Sequence, residues 1–135
     1  MKSTLSSFDV RALVAEWQRL VGGHIDKAYQ RDEEVILRIN PPGGGKAELY
    51  SKSGQWLCLH EVERKPETPP AFAQTLRRLL DNARITSVEQ RGFDRIAIFA
   101  VERGPDTCRI IFELFGKGNL VVVKGDTTVA CLSPQ

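Results

Sequence analysis

The chain carries Arg91-Gly92-Phe93-Asp94-Arg95-Ile96 directly before Ala97-Ile98-Phe99-Ala100-Val101, so a glycine turn opens into a short apolar run. Glycine permits the backbone angles of a tight turn, and the apolar run predicts a strand, here one buried on both faces. The turn therefore places Asp94 and Arg95 directly before the first residue of a buried strand. Local chemistry alone assigns both a structural role, with Asp94 bonded to turn amides and Arg95 in a surface ion pair worth about 0 to 1 kcal/mol.

Outward from this stretch, the sequence predicts short strands and two helices. Alternating or apolar runs bounded by turn residues indicate strands at residues 24–30, 35–39, 46–50, 55–60, 84–89, 96–101, 107–114, 120–123 and 127–132. A helix is expected at residues 71–81, because Thr68-Pro69-Pro70 supplies a cap followed by proline in the first turn. This order predicts an α+β fold of antiparallel strands with two main helices.

The first helix has the clearest start. Ser6-Ser7-Phe8-Asp9 matches a capping box, in which the N-cap serine and the acidic residue three positions later each bond the other's main-chain amide. Apolar residues recur at helical spacing from Val10 to Val21, and Gly22-Gly23 is expected to end the helix. Asp9 thus has a sufficient structural role as a cap in the first helical turn.

Length and composition bound the class of protein. A chain of 135 residues forms one domain and can bury a core without disulfides or metals. The formal net charge of +2 is spread evenly over the two halves of the chain, so it neither requires nor excludes a nucleic-acid partner. Cys58, Cys108 and Cys131 lie in apolar runs and are typical of reduced core cysteines in a cytoplasmic protein. No run reaches the roughly 20 apolar residues of a membrane span.

Motifs for catalysis or cofactor binding are weak. Gly43-Gly44-Gly45-Lys46 is not a phosphate loop, because Ala47 replaces the Ser/Thr and a strand is predicted where a helix is needed. His24 and His60 are the only histidines, and neither has a nucleophile or carboxylate at catalytic spacing. We therefore expect a protein that is not an enzyme and that holds no metal or cofactor.

Four motifs in series carry a resemblance to a known family. They are Ser7-Phe8-Asp9, the run Pro-Glu-Thr-Pro-Pro-Ala-Phe at 66–72, Gly92-Phe93-Asp94-Arg95-Ile96, and the run Glu-Leu-Phe-Gly-Lys-Gly-Asn at 113–119. Together they resemble the N-terminal domain of the NFACT family, which includes the nuclear export mediator factor, archaeal relatives and bacterial proteins first named fibronectin-binding protein A. Residues 1–135 are accordingly expected to form a single NFACT N-terminal-like domain of a longer multidomain protein.

The resemblance also implies an architecture. The family domain is similar to the N-terminal domain of formamidopyrimidine DNA glycosylases, which implies a β-sandwich of antiparallel strands flanked by helices. Glycosylase activity is not expected, because those enzymes use an amino-terminal proline as nucleophile, whereas this chain begins Met1-Lys2-Ser3.

The function implied by the resemblance is that of a cytoplasmic ribosome-associated quality control factor. Such a factor binds the large ribosomal subunit with a stalled peptidyl-tRNA and recruits tRNA, so that the C-terminus of the nascent chain is extended without a template. In the family, the N-terminal domain contacts tRNA, and its functional residues map onto Asp9, Asp94 and Arg95. Three further cations are expected as basic surroundings on charge alone: Arg77, Arg78 and Lys117.

A second hypothesis is a protein-interaction module that docks ribosomal or partner proteins without specific RNA contacts. The balanced charge is compatible with it. Salt separates the two hypotheses, because RNA binding weakens by roughly 0.7 to 0.9 log units per log unit of salt for each phosphate contact, whereas protein docking responds far less.

Overall fold

A computed structural model describes residues 6–31, 34–52, 56–59, 71–114 and 118–132, with the main chain alone at 56–59. Its α-helices are α1 (Ser7–Glu16) and α2 (Ala71–Leu80). The strands in this part of the chain are β1 (His24–Arg31), β2 (Glu34–Asn40), β3 (Ala47–Lys52), β4 (Trp56–Leu59), β5 (Arg84–Gln90), β6 (Ile96–Arg103), β7 (Asp106–Glu113), β8 (Asn119–Lys124) and β9 (Thr127–Cys131). The predicted α+β fold of antiparallel strands with two main helices is confirmed.

All these strands hydrogen-bond into one antiparallel sheet, in the order β4-β3-β2-β1-β5-β6-β7-β8-β9. The two halves of the sheet, β1 to β4 and β5 to β9, meet where β1 pairs with β5. The register of that pairing contains a single residue pair, His24 with Arg84. Neighbouring main-chain bonds strengthen this junction, including one from the Ile25 nitrogen to the Ala83 oxygen at 2.9 Å. Beyond the junction the two halves separate, and α2 packs against β1.

Gly23 lies where three chain segments converge beside this junction. A Cβ atom at this position would lie 2.7 Å from the main-chain oxygen of Asn40, 3.0 Å from that of Leu20 and 3.1 Å from the Cα of Pro41. Only glycine fits there, because these neighbours are main-chain atoms that cannot rotate away. The residue expected only to end a helix therefore also permits close packing.

Helix α1 begins where expected and ends earlier. At Trp17 the chain tightens into a 3-10 helix (Trp17–Leu20), and the expected single helix up to Gly22-Gly23 is wrong in its last turns. Three residues per turn place Trp17 and Leu20 on the same side, and both are fully buried. Within the described ranges, no helix is long and apolar enough to cross a membrane.

The hydrophobic core joins both helices to the sheet. Trp17 packs against Phe99 with ring centroids 5.9 Å apart, and Phe99 packs edge to face against Phe112 at 5.6 Å. Leu76 and Leu80 of α2 enter the same buried cluster. Helix α1 packs against β5 and β6, whereas α2 packs against β1 and β9 and so contacts both halves of the sheet.

Strand β6 is buried on one face and half-buried on the other. Ala97, Phe99 and Val101 are buried, while the residues that alternate with them along most of the strand are half-buried. The expectation of burial on both faces is wrong: full burial is confined to the face that carries Phe99, against which the indole of Trp17 packs. An apolar run has the same sequence pattern whether one face of the strand or both faces are buried.

The cysteines differ in burial. Cys108 is 7% exposed and Cys131 is half-buried, and both are free thiols. The expectation of core cysteines is therefore met by Cys108 and wrong for Cys131, whereas the Cys58 side chain lies outside the described residues. Burial raises the pKa of the Cys108 thiol above its usual value of 9.0, because an apolar environment disfavours the thiolate.

Candidate nucleic-acid interface

The start of α1 is fixed by a complete capping box. The Asp9 nitrogen donates to Ser6 Oγ at 3.1 Å, and the Ser6 nitrogen donates to Asp9 Oδ2 at 2.9 Å. Ser6 is the N-cap and Asp9 the third helical residue, as the sequence predicts. The carboxylate of Asp9 therefore has a structural role, and the same bonds hold Phe8 at the exposed end of the helix.

The turn between β5 and β6 has a main chain held from both sides. The Asp94 nitrogen donates to the Arg91 oxygen at 3.0 Å, and the Arg91 nitrogen donates to the Ile96 oxygen at 3.0 Å. Gly92 adopts a φ of +58°, in the left-handed region that glycine tolerates. Because Leu114 also donates to the Arg95 oxygen at 2.8 Å, the backbone of Arg95 is tied to the end of β7.

The side-chain amide of Gln90 connects the turn to the start of α1. Its Nε2 atom donates to the main-chain oxygen of Ser7 at 2.9 Å and to that of Asp94 at 2.7 Å. One side chain at the end of β5 thus links two segments far apart in sequence. The capped end of α1 and the 91–95 turn consequently form one continuous surface.

Two aromatic side chains meet on this surface. The rings of Phe8 and Phe93 pack edge to face, with centroids 4.7 Å apart and an interplanar angle of 78°. Phe8 is nevertheless 71% exposed and Phe93 46% exposed. We call the surface formed by Phe8, Asp9, Phe93, Asp94 and Arg95 the cap-turn surface.

The charged groups of Asp94 and Arg95 project from this fixed backbone. Both residues are exposed. Within the described part of the chain, the Asp94 carboxylate accepts no turn amide and the Arg95 guanidinium joins no ion pair. Neither structural role suggested by local sequence is therefore observed, and the two groups are accessible to a partner.

Arg77 lies elsewhere, against β1. Its Nε donates to the main-chain oxygen of Ala28 at 2.7 Å, and its guanidinium carbon lies 5.1 Å from the ring centroid of Tyr29. Arg38 approaches the same ring at 5.7 Å. The structure thus places Arg77 in a partly buried contact between α2 and β1 and does not bring it to the cap-turn surface.

Arg78 is also distant from that surface. Its main-chain oxygen accepts from Arg103 Nη1 at 2.7 Å, and Arg103 ends β6, whereas Arg95 precedes its start. A strand of this length separates the two ends by roughly 23 Å. Lys117, the third expected cation, lies outside the described residues.

Sequence reasoning missed three residues that shape this surface. Sequence does not identify Gln90, because a glutamine that ends a strand carries no signal of its main-chain acceptors, the distant Ser7 and the nearby Asp94. Phe8 and Phe93 lie within the quoted motifs, and their positions could have identified them. An aromatic residue in a polar helix cap or in a glycine turn is not expected to enter the core, so its exposure can be predicted.

No metal site accompanies this surface in the described residues. In these ranges, no group of three or more His, Cys, Asp or Glu side chains is arranged to hold a metal ion. The side chains of the cap-turn surface themselves offer charge, hydrogen bonding and aromatic contact.

Comparison with known proteins identifies relatives along nearly the full chain. Residues 6–132 match the family model described as NFACT N-terminal and middle domains. The archaeal Rqc2 homolog aRqcH of Methanocaldococcus jannaschii is 38% identical over 136 residues, covering 96% of this chain and 20% of the archaeal protein. The ribosome quality control complex subunit NEMF of Homo sapiens is 34% identical over 125 residues, covering 90% of this chain and 12% of NEMF. The chain thus spans a fifth or less of these relatives.

Solved structures share the fold. The N-terminal domain of fibronectin-binding protein PavA from Streptococcus pneumoniae matches with a TM-score of 0.85 and 25% identity, over 94% of this chain and 53% of that one. The N-terminal part of the fibronectin/fibrinogen-binding protein of Streptococcus suis matches with a TM-score of 0.87 and 24% identity, over 96% of this chain and 54% of that one. The matched parts of those two chains therefore share the fold of this chain.

Proposed function

This chain belongs to the NFACT family, and we propose that it is the noncatalytic RNA-binding domain of a ribosome quality control factor. Its partners are tRNA and the large ribosomal subunit with a stalled peptidyl-tRNA. Together with the remaining domains of the full-length protein, it recruits tRNA in the cytoplasm for template-free extension of the stalled nascent chain. The archaeal relative is an Rqc2 homolog and the human relative is a subunit of the ribosome quality control complex, and both support a role in ribosome quality control.

One observation carries the proposed RNA contact. Gln90 bonds both Ser7 and Asp94, so two motifs that are separate in sequence form one exposed surface. A main chain held this firmly presents its side chains without a large loss of conformational freedom on binding. The cap-turn surface is therefore prepared for a ligand before the ligand arrives.

The side chains on this surface suit RNA. The planar guanidinium of Arg95 can donate two parallel hydrogen bonds to a phosphate or to a base edge. The Asp94 carboxylate can accept from a base amino group or from a ribose 2′-hydroxyl, which distinguishes RNA from DNA. Asp9 contributes by holding the start of α1, because its carboxylate accepts from the Ser6 nitrogen.

The test is a binding measurement with labelled tRNA, and with duplex DNA of similar charge, across a salt series. We expect tRNA to bind preferentially and the affinity to fall as salt rises, with a slope of roughly 0.7 to 0.9 for each phosphate neutralised. Asp94→Ala and Arg95→Ala should each abolish the preference while leaving the fold intact, because both side chains are exposed.

Matched controls come from exposed residues of the same charge far from the cap-turn surface. Arg84→Ala removes one positive charge at the opposite end of β5 from Gln90. Asp126→Ala removes one negative charge in the turn between β8 and β9. If Arg84→Ala weakens tRNA binding as much as Arg95→Ala does, while Asp94→Ala and Asp126→Ala both strengthen it, the contact is general electrostatic attraction, because loss of a carboxylate raises the affinity for phosphate. If tRNA and DNA bind equally weakly and no variant matters, protein docking is the better hypothesis.

A further inference from the structure

A cavity of about 200 Å³ lies on the sheet near the end of β6 that is farthest from the cap-turn surface. It is lined by residues of the neighbouring strands β5 to β8 and of the turn that follows β8. On β6 the lining residues Ala100 and Glu102 alternate with the buried Phe99 and Val101, so their side chains point away from the core. Pockets for drug-sized ligands measure roughly 300 to 1,000 Å³, so this cavity suits a smaller ligand.

The floor of the cavity is small and apolar. Ala100 pairs with Arg109 of β7, which in turn pairs with Val123 of β8, so these three residues lie in one row across the sheet. The alanine methyl leaves a depression in this row that a longer side chain would fill. Beside it, the Thr86 hydroxyl donates to the Ala100 main-chain oxygen at 3.2 Å. The floor thus offers apolar contact to a ligand side chain.

Two opposite charges border the same cavity. Glu102 pairs with Thr107, so Arg109, two residues further along β7, is its diagonal neighbour on the same face of the sheet. Diagonal neighbours lie roughly 7 to 8 Å apart, within reach of long side chains. No ion pair joins Glu102 to Arg109 among the residues that the structure describes. Arg109 Nη2 lies instead 3.4 Å from the main-chain oxygen of Gly125, which accepts from it on the side of the cavity away from β6.

Other charged side chains near this end of the sheet already have partners. Lys124 Nζ lies 3.3 Å from Asp106 Oδ1, and Arg103 Nη1 donates to the Arg78 oxygen at 2.7 Å. A ligand with a single charge would be attracted by one side of the cavity and repelled by the other. A ligand with both charges can place an ammonium on the carboxylate and a carboxylate on the guanidinium, each through charge-assisted hydrogen bonds.

We propose that this cavity binds a small zwitterion of the α-amino acid class. Its ammonium donates to Glu102, its carboxylate accepts from Arg109, and a short apolar side chain packs on Ala100 and Val123. Both charged residues are exposed, so the dissociation constant should be weak, on the order of 1 mM. The site is independent of the proposed RNA contact, because a strand of this length places it roughly 20 Å from Arg95.

The experiment titrates the ¹⁵N-labelled protein with L-valine and follows the amide chemical shifts. Two analogues each lack one charge: 3-methylbutanoate has no ammonium, and isobutylamine has no carboxylate. Valine should cause saturable shifts confined to residues around the cavity, at 100–109 and 123–125. Each analogue should bind about tenfold more weakly or less, because one charge-assisted contact is lost and one repulsion remains.

Variants locate the site. Glu102→Gln should lower the affinity for valine about tenfold and abolish its advantage over 3-methylbutanoate, because a neutral amide does not attract an ammonium. Ala100→Leu should abolish binding by filling the floor. Glu89→Gln is the matched control, because it removes an exposed carboxylate on β5, outside the cavity, and should leave the affinity for valine unchanged.

Three results would overturn the proposal: valine causes no saturable shifts, the three ligands bind equally, or Glu102→Gln and Glu89→Gln have the same effect. Glu102 is exposed, so its variant remains informative even where Ala100→Leu fails to fold. The tRNA titrations described above are a separate measurement, and neither result decides the other.

Discussion

The side-chain amide nitrogen of Gln90 lies 2.9 Å from the main-chain oxygen of Ser7, a residue 83 positions earlier in the chain. The same nitrogen lies 2.7 Å from the oxygen of Asp94. A single neutral side chain therefore determines how the two halves of the cap-turn surface are oriented, although it bears no charge and is only partly buried.

Gln90→Glu should both destabilise the protein and weaken RNA binding. Replacing the amide nitrogen by oxygen removes two hydrogen bonds and opposes two carbonyls with a carboxylate, so we expect a loss of about 1 to 3 kcal/mol in the free energy of unfolding. Gln18→Glu is the matched control, because Gln18 Nε2 also bonds two main-chain oxygens, those of Val14 and Val88. Denaturant melts should show a loss for both variants. A weaker affinity for tRNA in Gln90→Glu alone is the expected result, and equal affinities would contradict it.

Ser6→Ala and Asp9→Ala should separate the capping role of Asp9 from any role in binding. Each removes one half of the capping box, and each should lower the free energy of unfolding by about 0.5 to 2 kcal/mol. If Asp9 acts only as a cap, the two variants will bind tRNA equally well at a temperature where both are folded. A further loss of affinity in Asp9→Ala would show that the carboxylate itself contributes to recognition.

Arg77→Lys should lower stability and leave RNA affinity unchanged. Lysine keeps the charge but loses both the Nε bond to Ala28 and the planar contact with Tyr29, so about 1 to 3 kcal/mol of unfolding free energy should be lost. Arg95→Lys is the reverse case, in which stability is unchanged and affinity falls, because lysine cannot form the two-point contact of a guanidinium. Thermal melts and tRNA titrations of the two variants provide the comparison. A loss of tRNA affinity in Arg77→Lys would return Arg77 to the RNA-binding surface.

Gly23→Ala should be strongly destabilising. The new Cβ would approach the main-chain oxygen of Asn40 to 2.7 Å, and relieving that overlap by backbone movement should lower the free energy of unfolding by about 1 to 3 kcal/mol. Gly43→Ala serves as the control, because a Cβ atom at Gly43 would meet nothing within 4 Å and the φ of this residue is not positive. A Gly23→Ala protein as stable as Gly43→Ala would show that the segments around β1 can move apart freely.

Cys108 should react slowly with thiol reagents. Burial raises the pKa of its thiol, so the thiolate fraction near neutral pH is smaller than for an ordinary cysteine. Because the folded protein holds this proton more tightly than the unfolded chain, protonation of the Cys108 thiol favours the folded state. This contribution to the free energy of unfolding is fully present below the pKa of the thiol in the unfolded chain. It is lost as pH rises through the pKa of the thiol in the folded protein. Peptide mapping after brief alkylation should find Cys131 labelled before Cys108, and the reverse order would be inconsistent with the burial of Cys108.

Features specified by neighbouring residues could be predicted from the sequence. The capping box depends on Ser6 and Asp9, three positions apart, and it forms as expected. Asn82 follows α2 with a φ of +59°, in the left-handed region that asparagine adopts at helix ends. Strand positions followed the same rule, because apolar runs and glycine turns are local signals.

Features specified by tertiary contacts could not be predicted. The change to a 3-10 helix at Trp17 follows from the burial of its indole against Phe99, which lies in a distant strand. The charge of Arg77 indicated an exposed cation, whereas the side chain is used to bond Ala28. Residue type alone does not reveal whether a cation faces solvent or a neighbouring carbonyl.

The separation of the sheet at His24 and Arg84 leaves part of the β1 edge without a strand neighbour in the described chain. An unpaired edge is a template on which a second molecule can add a strand, and such edges are common starting points of aggregation. Arg77 places a bulky cation on the Ala28 carbonyl at this edge, and α2 lies over it. The contact that holds α2 against the sheet thus also occupies a main-chain carbonyl with which an added strand could otherwise pair.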